Sequence, residues 1–432
     1  MPELLPFAGL RPVPSVAGPL DDVVCPPYDV ISDNQRQALV ERSPYNVVRV
    51  ELPDGDYTGA ARLLDQWRAA GVLALEQGPV LYGYRMSYRA PDGRARHTLG
   101  VIGALVLEPP GHGILPHEHT TPKAKSDRLE LIRATRCNTS PIWCLCSEPG
   151  LAQALGPVPD GGDASDGPET SAEPGAGPAR SPDYARAPDY ARATDDDGTL
   201  HELWPIVSPG VHQAVAQVIA ARPLLVADGH HRYETALAYQ AEQRSNGAVP
   251  ARALEGYDAL LCFVVELAEE HLQVLAIHRV VSGLPQGTDV VSALAPAFEL
   301  TPTDAQGGTL LARMADAKAL AVITRESAYL ASPRADRLDA GADLDSRRAD
   351  AAVASLPAHQ LTYEHDVPAA LAAVSSGAAD FAVLCRPAGI DQIARTAHGG
   401  ERMPPKTTFF WPKLRTGMVL RALQGARNIQ DL

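Results

Sequence analysis

The sequence predicts an α+β protein, and two observations point that way. Apolar runs short enough for strands alternate with longer amphipathic stretches along most of the 432 residues. Hydrophobic residues make up 45% of the chain, so a sizeable core can form, and aromatics at only 5% leave its packing to aliphatic side chains and alanine.

From the N-terminus, residues 23–32 form an extended segment broken by Pro26 and Pro27, and Ser32 and Asp33 cap a helix over 34–42. Residues 46–52 read as a strand. Residues 57–74 carry Ala61, Leu64, Trp67 and Leu73 near helical spacing. Residues 80–88 and 94–106 read as a hairpin around Pro91-Asp92-Gly93. A polar turn follows Ile114, then a helix from about Lys125 and a strand over 141–147. Residues 156–199 are rich in Gly, Pro, Ala, Ser and Asp and read as a disordered insertion. They hold a six-residue repeat, 182–187 and 188–193, read as slippage in a tolerant loop rather than a docking motif. Strands over 202–207 and 223–227 alternate with helices over 209–221 and 233–244. Residues 259–266 and 272–281 look like paired strands, and 283–390 alternate helical and strand-like pieces, among them 319–324 and 381–386. A strand over 407–411 and a helix over 418–424 close the chain. The domains expected are 1–110, an N-terminal α/β unit; 111–282, a core carrying the insertion 156–199; and 283–432, a C-terminal α/β domain.

A formal net charge of −14 and a pI near 5.4 argue against a nucleic-acid coat, which needs a basic surface to displace counterions. Six cysteines, sparse and mostly in apolar contexts, fit a reduced cytoplasmic compartment. Cys144 and Cys146 point to one face of a strand and read as core thiols. No basic-then-apolar leader and no run of 18 apolar residues is present, so neither a secretory signal nor a membrane helix is expected.

Three clusters carry chemistry. In the first, an apolar strand from Leu224 runs into Asp228-Gly229-His230-His231-Arg232 and opens a helix. A helix N-terminus offers unpaired N–H groups and the positive end of its dipole, so an anion binds there. Arg232 can grip a phosphate bidentately, and Asp228 can hold magnesium or orient a histidine. The second cluster crowds His117, Glu118, His119, Lys123, Lys125, Asp127 and Arg128 into one segment and suits a second wall of an anion site. Glu118, between two histidines, can serve as a general base; His117 and His119 alone make a weak metal site. The third runs from Met403 to Lys413, where Lys406, Thr407 and Thr408 supply donors after a rigid proline turn. Tyr28-Asp29, Asn46 with Arg49, and His278-Arg279 read as structural.

On these clusters the chain resembles the ParB/sulfiredoxin-like superfamily. It is similar to the free serine kinase branch, in which a Pro-His-Glu segment, an Asp-Gly-His-His-Arg turn and a Pro-Lys-Thr-Thr segment follow in order, here Pro116-His117-Glu118, Asp228–Arg232 and Pro405-Lys406-Thr407-Thr408. It also resembles a bacterial ParB-like family of unknown function at Pro6-Phe7, Arg11-Pro12, Cys25-Pro26-Pro27-Tyr28-Asp29 and Ser43-Pro44-Tyr45-Asn46. The resemblance implies a ParB/sulfiredoxin-like core with N-terminal and C-terminal α/β additions. It implies transfer of phosphate from pyrophosphate, ADP or ATP to free L-serine with magnesium, giving O-phosphoserine. Glu118 would be the base; Asp228 and His231 would join it in catalysis, with Asp228 on the metal. His230, Arg232, His117, His119, Lys123, Lys125 and Arg128 would hold phosphate, and Lys406, Thr407 and Thr408 the substrate. The partners implied are a small-molecule substrate and its phosphate donor, with a homodimer one assembly open to it and no membrane. Phe409-Phe410 depart from the kinase branch, which carries Arg and His there. No Walker-type loop is present. The competing readings are a nucleotide-binding, DNA-associated regulator and a phosphoserine phosphatase-type hydrolase.

Overall fold

The structure is a computed structural model, and it describes residues 1–90, 93–109, 111–116, 122–159, 190–246, 254–268, 270–334, 344–399 and 403–423. It is a mixed α+β protein, and the chain divides into two compact units. The first is built from Met1–Leu115, Thr121–His271 and Pro412–Leu432, and Leu272–Trp411 makes up most of the second.

The first unit is organised on a nine-stranded sheet. Its order runs Ile114–Pro116, Leu224–Asp228, Ile142–Cys146, Ala259–Glu266, Ala95–Val106, Leu81–Arg89, Leu200–Ile206, Ala191–Thr194, with Leu4–Leu5 also against Ala95–Val106. Ile142–Cys146 and Ala259–Glu266 run parallel; their outer neighbours, Leu224–Asp228 and Ala95–Val106, are antiparallel to them. Strands covered on both faces read as continuous apolar runs, and Ala259–Glu266 and Ile142–Cys146 are buried along nearly their whole length. Alternation still sorts their side chains. Ile142, Cys144 and Cys146 join Leu224, Val226, Leu260, Cys262 and Val264 in one apolar cluster, so Cys144 and Cys146 are core thiols. All six cysteines are buried and unpaired.

The second unit is a six-stranded sheet ordered Phe298–Thr303, Ala328–Pro333, Leu320–Thr324, Phe381–Leu384, His278–Ser282, Gln360–Glu364. Every neighbouring pair in it is antiparallel. Alternate residues feed two cores. Leu320, Val322, Phe381 and Val383 pack with Ala349, Ala352 and Val353 of the helix Asp345–Ala354. Ala321, Ile323, Ala382 and Leu384 pack with Leu310 and Met314 of Gly307–Asp316 and with Ala370 and Val374 of Val367–Ser375. Separately, Gln273–Ala276 pairs with Thr408–Trp411.

Several expectations change. Residues 46–52 are not a strand: Val48–Glu51 is one helical turn. The Asn46 side chain starts it, accepting from Val48 N–H at 3.0 Å and donating to the Asp22 carbonyl at 2.7 Å. Such a side chain offers the backbone a turn that the β-propensity of Val47, Val48 and Val50 cannot outbid. The helix from Tyr57 stops at Ala69; Gly71 takes φ +72°, and Leu73–Leu75 turns back to pair with Leu10–Pro12. Residues 259–266 and 272–281 do not pair, and they fall in different units. Residues 418–423, where a C-terminal helix over 418–424 is expected, are not helical. Arg421–Ala422 is a strand against Cys137–Asn138, held by Arg421 donating to Asn138 Oδ1 and the Ala259 carbonyl. The low-complexity stretch is ordered at its end, where Ala191–Thr194 adds the edge strand of the large sheet; residues 160–189, with the first copy of the repeat, lie outside the described residues. The Ser32 cap stands as a full capping box with Gln35. Among the described residues no helix is long and apolar enough to cross a membrane.

Candidate functional site

The site grows from the strand Leu224–Asp228, whose first four residues are buried. Its pairing with Ile142–Cys146 slips between Val226 and Asp228, and such a bulge re-aims the side chain beyond it. Gly229 then turns the chain at φ +93° into the helix His230–Asn246. A Cβ on Gly229 would sit 2.7 Å from Ile142 Cγ2 and 3.2 Å from Arg232 Nε. Glycine is required there on two counts, a left-handed backbone and a packed neighbour.

Asp228 accepts from two cations. Arg232 Nη2 reaches Oδ2 at 2.7 Å and Lys413 Nζ reaches Oδ1 at 2.5 Å. Burial alone would raise the Asp228 pKa; the charges of Lys413 and Arg232 outweigh it and hold the carboxyl well below the usual range. The other end of the Arg232 guanidinium donates to the Pro141 carbonyl at 2.5 Å and to Ser140 Oγ at 3.1 Å. Its Nε is buried and has no hydrogen-bond partner among the described residues. His230, buried, and His231, half-buried, fill the first helical turn beside it.

Behind Arg232 lies a second set of charges. Ser140 Oγ donates to Glu51 Oε1 at 3.0 Å, and Glu51 is 1% exposed. Arg128 Nη1 lies 3.5 Å from that oxygen and donates to the Glu51 carbonyl at 2.9 Å. Arg128 also grips Asp127 and stacks on Tyr28 at 4.3 Å from the ring centre, with Arg232 over the same ring at 6.0 Å. Burial pushes the Tyr28 hydroxyl up to about 12 against the pull of both arginines, so it stays protonated. Glu51, Arg128, Arg232 and Thr235 line a cavity of about 40 Å³, into which the sequence offered no view.

The structure thus brings Asp228, His230, His231 and Arg232 together, with Arg128 joined to them through Tyr28, Glu51 and Ser140. Lys123 and Lys125 lie in the first turn of the helix Pro122–Thr135; their side chains, and all of His117, Glu118 and His119, lie outside the described residues. Lys406, Thr407 and Thr408 belong to the second unit. There Lys406 takes φ +60° and its carbonyl accepts from the buried Arg279 at 3.0 Å. Thr407 Oγ1 is 2.9 Å from Ser346 Oγ and 2.8 Å from the Pro404 carbonyl, and Thr408 opens the strand Thr408–Trp411. Arg279 is itself clamped by Asp350 at 2.7 and 3.0 Å.

Sequence reasoning missed Lys413, Glu51 and Ser140. Lys413 stood at the end of the third cluster, but no spacing linked it to a turn 185 residues earlier. Glu51 was hidden by the strand expected over 46–52. Tyr28 was read as structural, and it is the platform for two of the site's arginines.

Magnesium, which the resemblance implies, asks for free carboxylate oxygens. Both oxygens of Asp228 already accept from cations, and no group of three His, Cys, Asp or Glu among the described residues is placed to hold a metal ion. As placed, these residues do not fit a protein-held magnesium ion.

No curated protein matches the chain. Among solved structures, a conserved hypothetical protein from Pyrococcus furiosus aligns at 13% identity over 71% of this chain and 92% of its own, with a TM-score of 0.34. A free serine kinase in complex with AMP aligns at 12% identity over 71% of this chain and 89% of its own, with a TM-score of 0.35. SbnI with a C-terminal truncation, from Staphylococcus aureus, aligns at 12% identity over 76% and 91%, with a TM-score of 0.37. Residues 4–164 and 180–348 match the model of a family described as protein of unknown function (DUF1015), and the chain belongs to that family.

Proposed function

We propose that this protein is a phosphotransferase, built on a ParB/sulfiredoxin-like core, that makes O-phosphoserine from free L-serine and a phosphate donor. The observation that carries the reading is the junction at Asp228–Arg232, where a glycine turn, a helix N-terminus, two histidines, Arg232 and Lys413 meet. A phosphoryl group in transfer needs charge neutralisation and alignment more than covalent help, and this junction offers both. The order of the Pro116-His117-Glu118, Asp228–Arg232 and Pro405–Thr408 segments supports serine as acceptor.

In this reading Glu118 takes the proton from the serine hydroxyl as its oxygen attacks the donor phosphorus and the bond to the leaving phosphate breaks. His230, His231 and Arg232 hold the donor phosphate, and Lys406, Thr407 and Thr408 receive the amino acid. Magnesium enters only as the counter-ion of the donor's own phosphates. The test is purified protein incubated with L-serine and, separately, pyrophosphate, ADP and ATP, with product followed by its ³¹P signal. Phosphoserine formation that Glu118→Gln abolishes is expected. Release of phosphate from added phosphoserine, with no synthesis from any donor, would instead establish the hydrolase.

A further inference from the structure

We propose that Tyr28 is a phosphate-binding residue of this site, its hydroxyl donating to a phosphoryl oxygen of the ligand. The proposal rests on the phosphate-site reading above and deepens it by naming a further side chain that recognises the phosphoryl group.

A stiff segment presents Tyr28. Pro26 and Pro27 fix the backbone dihedral φ ahead of it, Pro27 at φ −59° and ψ 148°. Cys25 and Thr416 exchange backbone hydrogen bonds at 3.1 and 2.9 Å, and the Val30 N–H donates to the Pro27 carbonyl at 3.2 Å. The chain turns over Tyr28–Val30 and sets the ring under Arg128 at 4.3 Å and Arg232 at 6.0 Å. A guanidinium is drawn to the face of an aromatic ring. These contacts use the face and leave the hydroxyl over. Pro27, one residue earlier, lines the cleft that holds Asp228 and Arg232.

The fold does not use that hydroxyl. Tyr28 is half-buried, and its hydroxyl makes no hydrogen bond among the described residues. A buried tyrosine usually finds a partner for its O–H, as Tyr82, Tyr84 and Tyr233 do with Gly9, His201 and Glu108. Burial pushes the Tyr28 hydroxyl up to about 12, so it keeps its proton and can donate. The charges acting on it are Arg232, Asp29, Arg128 and Glu51, two of each sign. That balance decides what the site offers an anion. Asp228, Asp29 and Glu51 act on Arg232 too, so the guanidinium is compensated within the protein. A phosphate is then held by hydrogen-bond donors rather than by spare charge. Arg232, 9% exposed, has placed Nη1 on Pro141 and Ser140 and Nη2 on Asp228. Its Nε is buried and has no partner among the described residues. The Tyr28 hydroxyl adds a second donor, and a neutral one needs no counter-charge of its own, unlike a further buried cation.

The experiment is calorimetric titration of the full chain with inorganic phosphate, with pyrophosphate and with ADP, all with magnesium present, beside urea unfolding of each protein. The proteins are wild type, Tyr28→Phe, Tyr28→Leu and Arg232→Gln. Tyr28→Phe is expected to unfold at the wild-type urea midpoint, because no bond within the protein is lost. It should bind about tenfold more weakly, as the loss of one hydrogen bond to a charged group gives. Tyr28→Leu, which also takes the ring from both arginines, should lower the midpoint as well. The ligand that the wild type binds best identifies the source of the phosphoryl group. Tyr28→Phe binding every ligand as tightly as wild type, while Arg232→Gln binds weakly, would overturn the role of the hydroxyl and keep the phosphate site. A Tyr28→Phe protein that loses midpoint and affinity together would make the hydroxyl a structural group and overturn the proposal as well. A wild type that binds none of the three ligands would overturn both this inference and the reading beneath it.

Discussion

Replacing Gly229 by alanine should damage the protein at the one residue that joins the strand to the helix. Two costs add. An L-residue at φ +93° sits in the left-handed region, worth roughly 1–2 kcal/mol. The new Cβ would lie 2.7 Å from Ile142 Cγ2 and 3.0 Å from Ile142 Cβ. Ile142 is fully buried in the central sheet, so it cannot swing away, and such overpacking costs about 1–3 kcal/mol. The expected loss is therefore about 2–5 kcal/mol. Urea unfolding followed by tryptophan fluorescence measures it, since Trp67, Trp143 and Trp204 all lie in the first unit. A cycle with Ile142→Ala separates the two terms: truncating the isoleucine should relieve the packing share and leave the backbone share. A Gly229→Ala variant within about 0.5 kcal/mol of wild type would refute both the strain and the contact.

Three further outcomes follow from buried charges and one strained residue. Glu51→Ala strips a fully buried carboxylate from Arg128 and Ser140 and should cost about 3 kcal/mol or more, read by the same urea titration; a neutral result would mean the Glu51 contacts contribute nothing. His278 is buried, and burial together with the charges of Arg279 and His365 lowers its pKa to about 4; its Nδ1 accepts from the Cys385 N–H at 3.2 Å, which a protonated ring cannot do. The unfolded chain then holds the extra proton between about pH 6.5 and 4, so stability is present above that window and falls by about 3 kcal/mol as pH drops through it. His278→Gln should flatten this dependence in a pH series of unfolding curves, and an unchanged slope would contradict it. Lys406 is a non-glycine residue at φ +60°, so Lys406→Gly should stabilise the second unit by roughly 1 kcal/mol while lowering phosphoserine synthesis; faster synthesis would argue against a substrate role.

How much was legible in the sequence depended on whether the cause was local. The strands over 224–228 and 259–266 and the capped helix after Ser32 were visible because patterning and capping act within a few residues. The turn at Asp228–Arg232 was visible for the same reason: an Asp-Gly pair ends an apolar run and cationic side chains begin the next element. What stayed hidden was set by partners far away in the chain. Arg421–Ala422 becomes a strand because Asn138 and the Ala259 carbonyl receive Arg421, against the local helical tendency. Glu51 enters the site because the Asn46 side chain folds a helical turn out of three valines. Lys413 meets Asp228 only through the fold, and no pattern in its own segment announces it.

We propose that the Asp228–Arg232 junction serves phosphoryl transfer to free serine. The measurement that bears on it most directly is a ³¹P assay of L-serine against pyrophosphate, ADP and ATP, run on wild type and Arg232→Gln. The expected result is O-phosphoserine from at least one donor with wild type and a loss of 100-fold or more, about 3 kcal/mol, in Arg232→Gln. Phosphoserine absent with every donor, or formed equally well without the Arg232 guanidinium, would contradict it.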